Sequence, residues 1–286
     1  MRGMVDLQAA SDFLTTHARV LDRRRLELLL GRDDAAGVRA ALAAYRNADG
    51  GFGWGLEPDL RVPGSQPAGA LHAFETLAET GGGDETARAL CDWLDSVTLP
   101  DGGLPFALPD ASPAGFAGPW GGADPAASSL HMTAAVCEQA HRVPAAAGHP
   151  WLERATAHCL AAIRTQDEPG GSYELKFTLG LLDAIGADDE LERQARHLPS
   201  SGVREVAGGI EGEALRPLDF SPHPGRPLRA LVAPEAIEAD LDRLAADQQD
   251  DGGWTIDFAA GSPAAALEWR GYFTVHAIAT LREHGR

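Results

Sequence analysis

Basic residues are scarce in this 286-residue sequence. It has 24 Lys and Arg residues against 42 Asp and Glu residues, which gives a formal net charge of −18. Lys176 is the only lysine, and the arginines are scattered along the chain. Proteins that bind nucleic acids or anionic membrane surfaces need clustered cations to neutralise phosphates. The sequence therefore predicts neither of these partners.

Long apolar runs and paired cysteines are also missing. No stretch approaches about 18 consecutive apolar residues, so we expect no membrane-spanning helix. Residues 1–14 lack the apolar core of a signal peptide. Cys91, Cys137 and Cys159 are widely spaced among apolar residues, which predicts buried thiols in a reducing cytoplasm. Without a Cys-x-x-Cys pair or a His/Cys cluster, we expect no metal ion and no cofactor.

A glycine pair near acidic residues recurs through the chain. Successive copies lie about 50 residues apart on average, which is the length of two helices and their connections. The five copies are Asp49-Gly50-Gly51, Asp101-Gly102-Gly103, Gly170-Gly171, Gly208-Gly209 and Asp251-Gly252-Gly253. We interpret the aspartates as structural, because a carboxylate accepts hydrogen bonds from backbone amides near a helix start.

Helical periodicity fills the intervals between the glycine pairs. An amphipathic helix precedes four of the pairs, and an apolar, alanine-rich helix follows each of the same four. The predicted amphipathic helices are 36–46, 86–97, 152–165 and 234–249, and the predicted apolar helices are 67–79, 126–141, 174–185 and 265–283. Strand signals are weak, so the sequence predicts an all-α protein. The long irregular segments 99–125 and 199–234 are expected to fold over one face as lids.

The last glycine turn, residues 248–254, reads Gln-Gln-Asp-Asp-Gly-Gly-Trp, and residues 47–54 read Asn-Ala-Asp-Gly-Gly-Phe-Gly-Trp. These turns resemble the QW-type repeats of the terpenoid cyclase and protein prenyltransferase superfamily. The resemblance extends over 36–283, after an N-terminal helical region at 1–35. It implies one α/α toroid domain over 1–286, a ring of about five to six helix hairpins with its pocket at the mouth.

In this superfamily the functional groups lie on the inner helices or on the loops just before them. On that basis the candidate catalytic acids are Asp124, Glu57, Asp59 and Glu268, and the candidate substrate-binding residues are Trp54, Trp120, Trp269, Tyr272 and His276. Each also has a structural interpretation: Asp124 as a helix cap, His276 as a core histidine, and the others as solvated charges or core aromatics. The sequence lacks the superfamily's D-x-D-D, D-D-x-x-D and D-x-C motifs.

Three hypotheses about function follow. The first is a terpenoid-cyclase-like protein that binds a small hydrophobic, isoprenoid-like ligand in the ring and carries out an acid-initiated cyclisation or isomerisation. The second is a carbohydrate-active α/α-barrel enzyme that uses paired carboxylates. The third is a binding or scaffold module without catalysis. The sequence does not indicate an oligomeric state.

Overall fold

The computed structural model describes residues 5–286, without the side chains of Pro113 and Pro119. The first four residues of the predicted region 1–35, and of the segment 1–14, lie outside the described part. The structure is mostly helical, which confirms the predicted all-α class. Its helices are α1 (Leu7–His17), α2 (Val20–Leu29), α3 (Ala35–Leu42), α4 (Pro67–Thr80), α5 (Asp84–Val97), α6 (Leu130–His141), α7 (Pro150–Thr165), α8 (Ser172–Ile185), α9 (Asp188–Ala195), α10 (Pro217–Phe220), α11 (Pro234–Ala246) and α12 (Pro263–Glu283).

The only strands in the described residues are two short antiparallel ones, β1 (Arg204–Glu205) and β2 (Ala214–Leu215), which form a hairpin. The glycine pair at 208–209 lies in the turn of this hairpin, where Gly208 has φ +81°. The sequence predicts this pair to be part of the helical repeat; it lies instead between the two strands. Within the described residues, no helix is both long enough and apolar enough to cross a bilayer.

The helices contact one another in a closed circuit. From α4 the contacts run to α6, α8, α10, α11 and α12 in turn; α12 packs on α1 and α2, and α3 joins α2 to α4. The helices α5, α7 and α9 pack on α4, α6 and α8, respectively. The first and last parts of the chain thus form one continuous packing arrangement.

Two apolar clusters fill this arrangement. The larger one extends from Leu21 of α2 to Leu228, after α10, and includes Phe74 and Trp151, whose rings stack 6.4 Å apart. The smaller one joins Phe13 of α1 to Trp254, Leu241 of α11 and Ile278 of α12. Because the smaller cluster contains residues from both ends of the chain, burial of its side chains holds the ends together.

Three glycine turns share one local structure. In each, the first glycine has a left-handed φ of about +90° and the amide of the second glycine donates to the preceding aspartate. These amide bonds are Gly51 to Asp49 (2.9 Å), Gly103 to Asp101 (3.1 Å) and Gly253 to Asp251 (3.1 Å). The same aspartates also hold the segment that follows: they bind Ser65 (2.8 Å), Ser128 (2.6 Å) and Arg270 (2.7 Å).

The last turn is also bound to the start of the chain. The amide of Asp6 donates to Oε1 of Gln248, and Nε2 of Gln248 donates to the carbonyl of Asp6, both at 2.8 Å. Asp6 is the N-cap of α1, where its carboxylate accepts from the amides of Gln8 and Ala9. Gln248 therefore fixes the final turn against the first helix.

Candidate functional site

A buried histidine on α4 lies between two carboxylates. Nε2 of His72 is 2.9 Å from Oε2 of Glu57, and Nδ1 of His72 is 2.8 Å from Oε2 of Glu75. Glu75 lies three residues after His72, on the same face of α4, whereas Glu57 comes from the loop that precedes the helix. The hydroxyl of Tyr272 on α12 donates to Oε1 of Glu75 at 2.9 Å.

The charges of this group depend on one another. Burial by itself lowers the pKa of His72, but the carboxylates of Glu75 and Glu57 outweigh burial and raise it to about 9. Burial raises the pKa of Glu75, but the imidazolium of His72 outweighs it and holds this pKa well below its usual range. His72 is therefore a cation at neutral pH, and both of its N–H groups donate to carboxylates.

A second buried charge, Arg25 of α2, lies close to the first group. Its guanidinium donates two hydrogen bonds to Glu79 of α4, at 2.8 and 2.6 Å, and one of its nitrogens is 3.3 Å from Nε2 of His276. Burial and the charge of Arg25 lower the pKa of His276 to about 4, so this imidazole is neutral. Its ring lies 4.2 Å from the ring of Tyr272. The candidate ligand-binding residues Tyr272 and His276 thus contact each other and the charged group.

Asp59 joins three loops at the ends of these helices. Its Oδ2 accepts from the indole N–H of Trp269 at 2.9 Å, and its Oδ1 accepts from the amide of Gly261 at 2.7 Å. Its carbonyl accepts from the amide of Ala117 at 3.1 Å. Burial raises the pKa of Asp59. These bonds fix the loop of Glu57 and Asp59 against α12.

Aromatic side chains form a second group on α6 and α8. The ring of His131 stacks on Phe177 at 5.1 Å and lies parallel to Tyr173 at 6.0 Å. Phe106 meets the edge of His131 and stacks on Trp120 at 4.5 Å. These rings are partly exposed, although the helices that carry them are largely buried.

Charged side chains connect the two groups. Burial lowers the pKa of His131 to about 4, and the charge of Lys176 adds to this effect. The charge of Lys176 also acts on Glu138 of α6, Asp219 of α10 and His276 of α12. Lys176 therefore lies within electrostatic range of charged or polar groups on α6, α10 and α12.

The structure brings five of the nine candidates together. Glu57, Asp59, Trp269, Tyr272 and His276 lie in or against the His72 group. Glu57 and Asp59 are joined directly, since the amide of Asp59 donates to Oε1 of Glu57 at 3.0 Å.

The other four candidates lie apart from the His72 group. Glu268 forms an ion pair with Arg61 at 2.5 Å, and Trp120 belongs to the second aromatic group. Trp54 is 58% exposed, has a left-handed φ of +57°, and donates its indole N–H to Asn47. Asp124 is exposed and accepts from the amide of Ala126, whereas the N-cap of α6 is Ser129.

Sequence reasoning missed the central residues His72, Glu75, Arg25 and Glu138. Three of them carried a usable signal, because His72, Glu75 and Glu138 are ionisable residues within helices predicted to be apolar and buried. Such groups are costly to bury unless they are paired or functional. Arg25 belongs to a region in which no individual helix was predicted.

Within residues 5–286, no three His, Cys, Asp or Glu side chains are arranged to hold a metal ion. Neither a protein-family model nor a curated protein sequence matches the chain at a significant level. The geometry of the site is therefore the basis for a functional assignment.

Proposed function

We propose that the chain is a terpenoid-cyclase-like α/α toroid that binds a small hydrophobic, isoprenoid-like ligand at the centre of its ring. The closed circuit of helix contacts supports the ring, and so do the three glycine turns that share one hydrogen-bond pattern. In this arrangement α2, α4, α6, α8 and α12 are the inner helices. The short α10 occupies the place between α8 and α12.

The observation that carries the ligand assignment is the partly exposed aromatic face of the inner helices. On α12, Trp269, Tyr272 and Phe273 are partly exposed, while Gly271, Thr274 and Val275 beside them are buried. Aromatic rings contribute large apolar contact areas, and their faces stabilise cationic groups. An isoprenoid chain, or a carbocation formed from it, matches this surface.

The reaction we propose is an acid-initiated isomerisation or cyclisation. None of the four acids chosen from the sequence is suited by its present contacts to protonate such a ligand. Glu57, Asp59 and Glu268 are bound to other side chains, and Asp124 faces solvent. The proton donor in this proposal is therefore another group on the inner helices. We also propose a cytoplasmic location, because the three cysteines are free and buried.

A thermal-shift experiment tests the binding assignment. A ligand at about 100 times its Kd stabilises a folded protein by about 2.7 kcal/mol. We expect farnesol to raise the melting temperature of the wild type and maltose to leave it unchanged. Stabilisation by maltose alone would favour the carbohydrate hypothesis, and no effect of either would favour a scaffold.

A pair of variants on α12 locates the binding surface. Trp269→Ala removes a partly buried ring beside His72, and Leu267→Ala removes a side chain that is 39% exposed on the same helix. We expect Trp269→Ala to lose most of the farnesol-induced shift and Leu267→Ala to keep it. Equal shifts in the two variants would contradict the assignment. Far-ultraviolet circular dichroism before ligand addition checks that both variants fold.

A further inference from the structure

Lys176, the only lysine, has an unusual environment on α8. It is partly buried, and its ammonium lies 5.3 Å from the centre of the Phe177 ring. Within residues 5–286 it makes no salt bridge and no side-chain hydrogen bond. In a protein of net charge −18, a partly buried cation without a carboxylate partner is unexpected, because acidic side chains are plentiful.

Glu138 of α6 faces the same side of α8. The position of a Cβ on Gly180 would be 2.5 Å from Oε2 of Glu138, so the carboxyl group packs directly against the Gly180 backbone. Gly180 lies four residues after Lys176, which places the two on one face of α8. Oε1 of Glu138 accepts a hydrogen bond from Nε2 of Gln139 at 3.1 Å.

Aromatic residues lie on the same helices as this pair of groups. Tyr173 lies three residues before Lys176 on α8, and His131 lies seven residues before Glu138 on α6. Both therefore share the faces of the two charged residues, one or two turns away. A charged group and a carboxyl group at the end of an apolar, aromatic surface fit a ligand with a hydrophobic body and one polar end.

We propose that Lys176 and Glu138 form a binding subsite for a carboxylate group on the hydrophobic ligand. Lys176 supplies the opposite charge, and Glu138 in its acid form donates a hydrogen bond to the carboxylate. The ligand class is thus a hydrophobic monocarboxylate rather than an alcohol or a diphosphate. This inference rests on the proposed function, since it assumes that the ligand body lies in the ring.

The charges around Glu138 are compatible with this role. Burial raises the pKa of Glu138 to about 7; Arg142 and Lys176 lower it, and Glu75 and Asp183 raise it. A large fraction of Glu138 is therefore protonated near neutral pH and can donate.

The charges that shift the pKa of Glu138 belong to α4, α8 and Arg142 at the end of α6, and none of them belongs to α7. α7 meets α6 at Cys137 and at His141, which is 2.9 Å from Oγ1 of Thr156. Burial raises the pKa of Cys137 and lowers that of His141, so both are neutral. Binding of a carboxylate should accordingly weaken as the pH rises through about 7, because Glu138 then ionises and repels it.

Isothermal titration with two probes that share one hydrocarbon body tests the subsite. Farnesoic acid carries the carboxylate, and farnesol is neutral. For the wild type at about pH 6 we expect farnesoate to bind at least about tenfold more tightly than farnesol, as one charge-assisted hydrogen bond would provide. We expect this preference to fall at about pH 8.

Three variants separate the contributions. Lys176→Gln should abolish the preference and keep the farnesol affinity, whereas Arg88→Gln, an exposed site on α5 with the same change in net charge, should leave both unchanged. Glu138→Gln should keep the preference and remove its dependence on pH. A preference that survives Lys176→Gln would overturn the subsite.

The two levels of the proposal fail in different ways. If the wild type binds farnesol and binds farnesoate no more tightly, the subsite is wrong and the proposed hydrophobic site stands. If the wild type binds neither probe, both are wrong.

Discussion

Replacement of the first glycine in the last turn tests whether the two ends of the chain are packed together. Gly252 has φ +90°, and a Cβ on it would overlap the carbonyl group of Ala9 in α1. The left-handed conformation costs an alanine about 1–2 kcal/mol. The overlap involves backbone, which cannot rotate away as a side chain does, so the turn must move from α1 at a further cost of about 1–3 kcal/mol. We therefore expect Gly252→Ala to lower the free energy of unfolding by about 2–5 kcal/mol.

Other glycines provide matched controls for the two parts of this cost. Gly212, in the β hairpin, has φ +86° and nothing within 4 Å of its Cβ position, so Gly212→Ala should cost only about 1–2 kcal/mol. Gly50 and Gly102 have φ +93° and +91°, with nearest atoms at 2.8 and 3.2 Å. Gly50→Ala and Gly102→Ala should lower the free energy of unfolding by amounts between those for Gly212→Ala and Gly252→Ala, and Gly102→Ala should have the smaller effect of the two. Urea unfolding measures all four.

The reasoning would be refuted if Gly252→Ala and Gly212→Ala lowered the free energy of unfolding equally. If Gly252→Ala costs no more than Gly212→Ala, the final turn does not pack against α1. The closed circuit of helices would then be open at that point, and the proposed ring would lose its main support.

Three further predictions concern charged groups. The raised pKa of His72, about 9 against an ordinary 6.5, stabilises the fold fully below about pH 6.5, and this contribution disappears as the pH rises through 9. Urea unfolding at about pH 6 and pH 9.5 should thus show an alkaline loss of up to about 3 kcal/mol in the wild type that His72→Gln lacks; equal losses would contradict the ion pairs. In a proton NMR titration, His276 should stay neutral down to about pH 4, and a midpoint near 6.5 would place it outside the Arg25 group. Asp251→Asn should cost about 0.5–1 kcal/mol by weakening the Arg270 pair, an effect that high salt reduces, while the exposed neighbour Asp250→Asn should cost nothing measurable.

Local sequence signals were sufficient for eight of the helices. The predicted helix 67–79 corresponds to α4, and 152–165 corresponds to α7, because apolar periodicity and the flanking proline or glycine residues are properties of neighbouring residues. The eight-residue α9 had no prediction of its own, since so short a segment contains about two helical turns and little periodicity. The β hairpin was missed because its strands are two residues each.

The chemistry of the site could be predicted only in part, because its pairs join distant positions. Glu57 and His72 are 15 residues apart, Arg25 and Glu79 are 54 apart, and Glu75 and Tyr272 are 197 apart. The resemblance pointed to the loops between the glycine turns and the helices that follow them, and Glu57 and Asp59 lie in the loop before α4. It did not identify the basic partners that fix the ionisation of these carboxylates, because pairing depends on the tertiary fold.

The weakening of the repeat at its third copy has a structural reason. In the three regular copies a linker separates the glycine pair from the next long helix, and the aspartate binds that linker or the helix itself. At the third copy α8 begins at Ser172, directly after Gly171, so no linker needs to be held. Glu174, within the first turn of α8, instead accepts from the amide of Gly170 at 2.6 Å.

The segment that covers the start of α8 comes from later in the chain. The hydroxyl of Ser172 donates to the carbonyl of Glu205 at 2.7 Å, and that of Tyr173 donates to Glu213 at 3.1 Å. The β hairpin therefore contacts the start of α8, whereas linkers contact the glycine turns before α4 and α6. Because the hairpin reaches Tyr173, one turn before Lys176, it borders the aromatic and charged side of α8. The regular repeat motif is thus absent at the third copy, where the β hairpin binds the start of the following helix.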